Sequence, residues 1–381
     1  MLWFVLISTP MMAVIQGMCA RIAMVSGEGL AVAMRKRLPR PLSYALAALV
    51  ITANTFNAGA DVGGMSAGAH LVLRLPHNAW VVIFGIGLFA MQTWLDYAVI
   101  SRVFKWLTIT LFAYVITAFI VHPPWHTVLL NLAIPHIRLN AGWLATAVGL
   151  LGTTITPYLF FWQASLEVEE ERKDGQLTVE ARRGTDRKAI TAMHADVNAG
   201  MIFSNVVALF IVITTAATLG AHGEHGIATA QQAAQALAPL AGGGAQWLFA
   251  FGMVGTGVLA IPALVCSSAY VAAETFRFRE GLGQKPRRAR RFYGVIAVGM
   301  LIGIAMNLLH VDAIKALFWS AIFNGIAAVP LIVVIVWLAS DRKLMGQWRS
   351  STLARAWGWA TAILMGLATL AMFYFSWRGM S

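Results

Sequence analysis

Residues 143–167 read WLATAVGLLGTTITPYLFFWQASLE, and the only acidic residue of this run, Glu167, is its last. A helix of this length extends roughly 37 Å at 1.5 Å per residue, which is enough to cross the hydrocarbon core of a bilayer. Inside that core the backbone of such a run can satisfy its own hydrogen bonds only as a helix. We therefore predict a membrane-spanning helix here.

Similar apolar runs recur along the whole chain and are separated by short charged connectors. Hydrophobic residues make up 59% of the 381 positions and charged residues only 12%, whereas a soluble domain is about one-quarter charged. The connectors are too short to form a core of their own. We predict an all-α, polytopic bundle of about ten transmembrane helices that forms a single transporter domain over residues 1–381. The predicted helices cover residues 2–24, 42–73, 79–98, 101–121, 143–167, 195–219, 245–273, 291–309, 313–338 and 356–376.

Arginine and lysine are concentrated in alternate connectors, which carry 23 of the 28 basic residues. These residues fall within 35–40, 102–105, 172–188, 277–291 and 342–355. Such a bias is typical of cytoplasmic connectors and predicts that both ends of the chain lie outside. The net charge of +12 therefore indicates a lipid bilayer as the partner, and we expect no nucleic acid.

Asp61 is the one acidic residue near the middle of a long apolar run. A charge at that depth is costly, so it is either held by a neighbouring helix for packing or serves as a cation ligand or proton carrier. Asn54, Asn57 and Asp61 recur at intervals of three and four residues, which places them on one face of a helix. The nearby pairs Gly59/Gly63 and Gly64/Gly68 are explained by close helix packing alone.

The run Gly152-Thr-Thr-Ile-Thr-Pro-Tyr158 is the second feature that does not suit a simple span. Pro157 has no N–H to donate to the carbonyl of Thr153. A free carbonyl at mid-membrane needs a cation, a water or a polar side chain. The run predicts either a proline kink or a broken helix of the kind with which secondary transporters build ion sites.

Asn324 interrupts another apolar run and is followed by Gly325 and Pro330. It is either an oxygen ligand or part of a hydrogen bond between helices. The two cysteines, Cys19 and Cys266, both fall inside predicted spans. We expect them to be small packing residues and not a disulfide.

In their order and spacing, these motifs resemble the NRAMP family of divalent metal ion transporters. Residues 16–27 resemble the family's second helix, Ala60-Asp61-Val62 its third, residues 152–158 its broken sixth and residues 324–332 its tenth. The resemblance covers essentially the whole chain. It implies a LeuT/APC-like inverted-repeat transporter fold whose first helix is missing from this sequence. It therefore implies that the sequence is a fragment or begins at a late start codon.

The resemblance also implies roles for individual residues. The Thr153 carbonyl, Thr156 and Asn324 would line the metal site, with the helix broken at Gly152 and Pro157. Asp61, Asn57, Asn54 and Tyr158 would line a proton or ion pathway. This sequence departs from the family pattern at three positions: Thr156 replaces a ligating Met, Tyr158 a His, and Gly64 a Glu. Loss of the soft thioether favours harder ions held by oxygen.

The resulting hypothesis is a secondary transporter of divalent cations (Mn²⁺, Fe²⁺ or Mg²⁺), linked to protons, in a bacterial inner membrane. The metal is a substrate, and we expect no cofactor. One alternative is an organic-solute or amino-acid symporter of the same architecture, and another is a truncated, non-transporting remnant. We expect no enzymatic activity, because the spans hold no nucleophile–base pair and no His/Glu metal-ligand spacing.

Overall fold

The computed structural model describes residues 1–94, 111–220, 227, 229–309 and 311–378, and every regular element in those ranges is helical. We number the α-helices in chain order: α1 (Trp3–Ser26), α2 (Leu30–Arg37), α3 (Arg40–Val72), α4 (His77–Trp94), α5 (Phe112–Val121), α6 (Trp125–Ala133), α7 (Ala141–Thr154), α8 (Pro157–Lys173), α9 (Val179–Arg182), α10 (Arg187–Thr218), α11 (Ala230–Gln235), α12 (Ala238–Ala241), α13 (Ala245–Phe276), α14 (Arg290–Leu308), α15 (Ala313–Ser340), α16 (Arg342–Met345) and α17 (Thr352–Trp377).

Eight helical segments of the described chain are long and apolar enough to cross a membrane. They are α1, α3, α7 together with α8, α10, α13 with the short helices before it, α14, α15 and α17. The other two predicted spans, 79–98 and 101–121, correspond to α4 and α5. Residues 95–98 and 101–110 of those two spans lie outside the described residues. The prediction of an all-helical, multi-pass membrane protein is confirmed.

Residues 143–167 do not form one continuous helix. Helix α7 ends at Thr154, and α8 begins at Pro157. Between them Ile155 has φ −108° and ψ 73°, and Thr156 has φ −94° and ψ 138°. A residue before proline is pushed out of the α region by the proline ring, and proline itself suits the first position of a helix. Of the two structures that the sequence allows here, the protein adopts the broken helix.

Helix α10 begins eight residues before the predicted start at 195. Its first turn is closed by Asp186, whose carboxylate accepts a hydrogen bond from the backbone N–H of Ala189 at 2.7 Å. The first part of α10 contains charged residues, so a search for apolar runs does not detect that this part is helical. A carboxylate before the first turn is a preferred N-cap and explains the longer helix.

Helix α3 holds a central place, since it packs against α13, α15, α14 and α4. Its glycines provide the close approach: Gly59 and Gly63 lie against α14, and Gly64 and Gly68 lie against α13. A Cβ built on Gly59 would lie only 3.1 Å from the Cα of Gly303. The packing role predicted for these glycines agrees with this geometry.

Candidate ion site at the helix break

The break between α7 and α8 leaves backbone carbonyls without their usual partners. Ile155 N–H still donates to the Leu151 carbonyl at 2.8 Å. The carbonyl oxygens of Thr153 and Ile155, in contrast, accept no hydrogen bond from the described residues. Because the proline nitrogen carries no hydrogen, the Thr153 carbonyl lacks the donor that a continuous helix would supply. This carbonyl is the one that the sequence singles out.

Two glycines press the end of α7 against α15. A Cβ built on Gly152 would lie 2.1 Å from the Ala321 carbonyl oxygen and 2.4 Å from the Gly325 nitrogen. A Cβ on Gly325 would lie 2.5 Å from the Val148 carbonyl oxygen. The two backbones can therefore cross only where neither helix carries a side chain. This crossing brings Asn324, the neighbour of Gly325, to the end of α7 next to the break.

Two side-chain oxygens at this place are buried without a hydrogen-bond partner. Asn324 is 1% exposed and Thr156 is 4% exposed. Neither Asn324 Oδ1 nor Thr156 Oγ1 has a partner of normal geometry among the described residues. The large majority of buried polar atoms are paired, so an unpaired one in a native structure calls for a reason such as an ion or a water. Both residues are among those that the family resemblance assigns to the metal site.

Thr153 contributes differently. Its side chain is exposed, and its hydroxyl donates to the Leu150 carbonyl of its own helix at 2.9 Å. The adjacent Thr154 hydroxyl is likewise bonded back, to the Leu150 and Leu151 carbonyls at 3.2 and 3.1 Å. Neither of these two hydroxyls faces the break as a free ligand. Thr153 and Thr154 can therefore offer a cation at the break only their backbone carbonyl oxygens.

The polar residues on one face of α3 form hydrogen bonds with two different helices, α13 and α15. Asn54 is fully buried and donates its Nδ2 to the Leu264 carbonyl of α13 at 3.3 Å, which leaves its Oδ1 unpartnered. Asn57 Oδ1 accepts a hydrogen bond from Ser320 of α15 at 3.2 Å. The sequence places both residues on one face but does not indicate that they reach different helices.

Asp61 lies one turn beyond Asn57 on α3 and is half-buried. No ion pair within the described ranges includes it. Asp61 lies close enough to the Tyr158 hydroxyl to interact with it electrostatically, and that hydroxyl in turn lies beside the Thr156 side chain. The structure thus brings Asp61, Tyr158 and Thr156 together across α3 and the start of α8.

Three further polar residues, which the sequence pattern does not single out, complete this region. Ser320 of α15 bonds Asn57, and Ser267 of α13 donates to the Tyr158 carbonyl at 3.0 Å. Asn307 of α14 donates to the Gly59 carbonyl at 2.7 Å. Serine is small and common in apolar helices, so nothing in the sequence distinguishes these two serines. Asn307 lies near the end of the predicted span 291–309, where polar residues are expected, so its position in the sequence does not indicate a contact with another helix.

The described part of the chain holds no group of three or more His, Cys, Asp or Glu side chains that could bind a metal ion. Any cation held at the break would therefore meet backbone and neutral side-chain oxygens, with Asp61 as the nearby carboxylate. Such ligands suit hard cations.

The family model described as "Natural resistance-associated macrophage protein-like" matches residues 1–375. The chain belongs to the Nramp family. Among curated relatives in this family, the divalent metal cation transporter MntH of Agrobacterium fabrum is 26% identical over 375 residues, which are 94% of this chain and 77% of that protein. The MntH of Klebsiella pneumoniae is also 26% identical, over 96% of this chain and 84% of its own length.

Solved structures agree with the Nramp fold. The manganese transporter of Eremococcus coleocola superposes with a TM-score of 0.69 at 19% identity, over 97% of this chain and 78% of that chain. MHP1, a nucleobase-cation-symport-1 family transporter, gives a TM-score of 0.59 at 16% identity, over 99% of this chain and 86% of its own. The LeuT/APC-like fold implied by the sequence resemblance is therefore confirmed.

Proposed function

We propose that this chain is a secondary transporter of divalent metal cations in a bacterial inner membrane, and that the whole of residues 1–381 acts as one transport domain. The ion site lies at the break between α7 and α8. The Thr153 carbonyl, the Thr156 hydroxyl and Asn324 Oδ1 are its ligands from this chain. Asp61, Tyr158, Asn57 and Asn54 line the route of the proton or of the ion.

The observation that carries this proposal is the pair of unpartnered buried oxygens at the break, Thr156 Oγ1 and Asn324 Oδ1. An oxygen acceptor without a donor leaves a desolvated lone pair that a cation can satisfy. The Thr153 carbonyl adds a third such oxygen. Membership of the Nramp family, with relatives named as divalent metal cation transporters, supports a metal as the cargo.

The ligand set also favours one kind of metal. All three atoms are oxygens, whereas soft transition metals gain most from sulfur ligands. Mg²⁺ and Mn²⁺ are held well by carboxylate, carbonyl and water oxygens. We propose that this protein prefers Mg²⁺ and Mn²⁺ over soft ions such as Cd²⁺.

The organic-solute alternative fits the site less well. A substrate carboxylate binds at hydrogen-bond donors, such as the N–H groups of a half-helix end. Asn324 Oδ1 and the Thr153 carbonyl oxygen only accept hydrogen bonds and would repel a carboxylate, so the Thr156 hydroxyl is the single one of the three proposed ligands that can donate to it. Calorimetric binding of amino acids compared with metal ions separates the two hypotheses.

The test is uptake of Mn²⁺ and Mg²⁺ into proteoliposomes, carried out with this chain and with a version extended to any upstream in-frame helix. Replacement of the proposed ligand, Asn324→Leu, should lower uptake roughly tenfold or more, in the range seen when residues around a metal site are lost. The matched control is Asn131→Leu, since Asn131 is half-buried on α6 and its side chain bonds only its own helix, at the Thr127 carbonyl. Normal uptake by Asn324→Leu would remove Asn324 from the site. Uptake of neither metal by either form, together with binding of an amino acid, would favour the symporter.

A further inference from the structure

A cavity of about 500 Å³ lies where α2, the end of α8 and the end of α13 meet the connector at 277–289. Its lining includes five arginines, which are Arg35, Arg172, Arg277, Arg279 and Arg288. By the distribution of basic residues along the chain, this end of the bundle faces the cytoplasm. None of the residues that line the cavity belongs to the candidate ion site.

The two glutamates of this cavity are already engaged. Glu274 Oε2 accepts hydrogen bonds from the backbone N–H groups of Ala31 and Val32 at 2.8 and 3.1 Å, which holds the start of α2. Glu280 pairs with Arg172 at 3.3 Å. Burial raises the pKa of the Glu280 carboxyl, and Arg172 opposes that rise. Both carboxylates therefore already have partners within the protein.

The other four arginines are not neutralised. Within the described ranges, Arg35, Arg277, Arg279 and Arg288 form no ion pair. The Nε atom of Arg35 is buried and has no hydrogen-bond partner there. Four like charges around one cavity repel one another, and an anion with several acceptor oxygens would relieve that repulsion and satisfy Arg35.

Arg277 occupies an unusual backbone position. It follows the last residue of α13 with φ 60° and ψ 47°, the left-handed conformation that glycine or asparagine adopts more easily. An arginine there costs backbone energy that a glycine would avoid. The cationic side chain of Arg277 lies at the negative end of the α13 dipole and lines the cavity.

Exposed aromatic and aliphatic side chains lie beside the cavity. Phe276, which precedes Arg277, is 57% exposed and stacks on Tyr44 of α3 with ring centroids 5.6 Å apart. Tyr44 and the nearby Leu42 are also exposed, at 46% and 44%. Exposed aromatic side chains are enriched at the membrane–water interface, and basic pockets between helices on the cytoplasmic side suit anionic lipid headgroups.

We propose that this cavity binds the phosphate of an anionic phospholipid from the cytoplasmic leaflet. The phosphate oxygens lie among Arg35, Arg277, Arg279 and Arg288. The acyl chains run along the exposed face that carries Tyr44 and Phe276. A bound headgroup then joins α2 to the end of α13, next to the contact that Glu274 makes.

The test compares lipid retention by three purified proteins in native mass spectrometry, with phosphatidylglycerol and phosphatidylcholine as probes. The cavity variant is Arg277→Asn/Arg279→Gln/Arg288→Gln, in which asparagine tolerates the left-handed backbone. The matched control, Arg287→Gln/Arg290→Gln/Arg291→Gln, removes the same charge from the end of the connector and the first turn of α14, at residues that do not line the cavity. Each cavity arginine removed should weaken phosphatidylglycerol binding roughly fivefold, and the control should bind like the unaltered protein.

Three outcomes would overturn the proposal. Equal loss of lipid in both triple variants would indicate general surface charge and not this cavity. Equal retention of phosphatidylcholine and phosphatidylglycerol by the unaltered protein would exclude an anionic headgroup site, and this comparison does not depend on any variant folding. Full displacement of the lipid by glycerol phosphate at equal concentration would identify a soluble phosphate compound as the occupant. Metal uptake is not measured, so failure here leaves the proposed transport function untouched.

Discussion

At the scale of single residues, the atoms around the helix break differ in what they offer a cation. The Thr153 and Thr154 hydroxyls are already bonded to their own helix, whereas Thr156 Oγ1 and Asn324 Oδ1 are buried and unpartnered. The sequence could name all of these residues because each is polar in an apolar run. The sequence could not show which of them are free to bind a cation, because that depends on which hydroxyls donate to a carbonyl of their own helix.

Substitution of Thr156→Met should change ion preference. A thioether adds a soft ligand to a site of oxygens, so competition of Cd²⁺ against Mn²⁺ uptake should become at least several-fold stronger, and Mg²⁺ uptake should fall. The measurement is competitive uptake into proteoliposomes. Thr146→Met is the matched control, since Thr146 is exposed on α7 and its hydroxyl bonds only the Gly142 carbonyl. An unchanged Cd²⁺ to Mg²⁺ ratio in Thr156→Met would place the ion elsewhere.

Asp61→Asn should remove the dependence of uptake on external pH. Asparagine keeps the size and polarity of the side chain but cannot bind or release a proton, so uptake that rises with an inward proton gradient should become flat. The measurement is initial uptake rate at two external pH values. Asp174→Asn, an exposed position just after α8, should keep the gradient effect. If Asp61→Asn retained the full pH response, Asp61 would not carry the proton.

At the scale of elements, the crossing of α7 and α15 fixes the geometry of the site. The sequence predicted a weak point at Pro157 but could not distinguish a kink from a break, because Pro262 and Pro330 lie inside continuous helices. What differs at Pro157 is the extended backbone of Thr156 and the close crossing at Gly152. Such a crossing is a tertiary contact, and no local pattern reveals it.

Gly152→Ala should therefore destabilise the protein. Its Cβ would meet backbone atoms at 2.1 and 2.4 Å, and since backbone cannot turn aside, the expected loss of stability is about 1–3 kcal/mol. Thermal unfolding can be followed with a thiol-reactive dye, because Cys19 and Cys266 are both free and buried until the protein opens. Gly149→Ala is the matched control, with its nearest contact at an ordinary 3.5 Å. Equal unfolding temperatures for the two variants would contradict the close crossing.

At the scale of the whole molecule, apolar run length and composition determined most of the architecture. Eight of the ten predicted spans have the dimensions of membrane helices in the described chain, because a bilayer imposes nearly the same length on each of them. What remained hidden was the pairing of helices. The contacts of Ser320 with Asn57 and of Asn307 with Gly59 join segments more than 240 residues apart.

The charge distribution makes one further prediction about the whole chain, namely that the connector at 277–289 faces the cytoplasm. A single cysteine can report this, since the two native cysteines are buried and should not react with a membrane-impermeant maleimide. Gly283 is exposed and a Cβ there meets nothing within 4 Å, so Gly283→Cys should be labelled only in inside-out vesicles. Gly142→Cys, at the start of α7, should be labelled only in cells or right-side-out vesicles. The opposite pattern would reverse the topology and remove the proposed lipid cavity from the cytoplasmic leaflet. It would leave the ion site at the helix break in place, because a site near the middle of the bilayer does not depend on which face is inside.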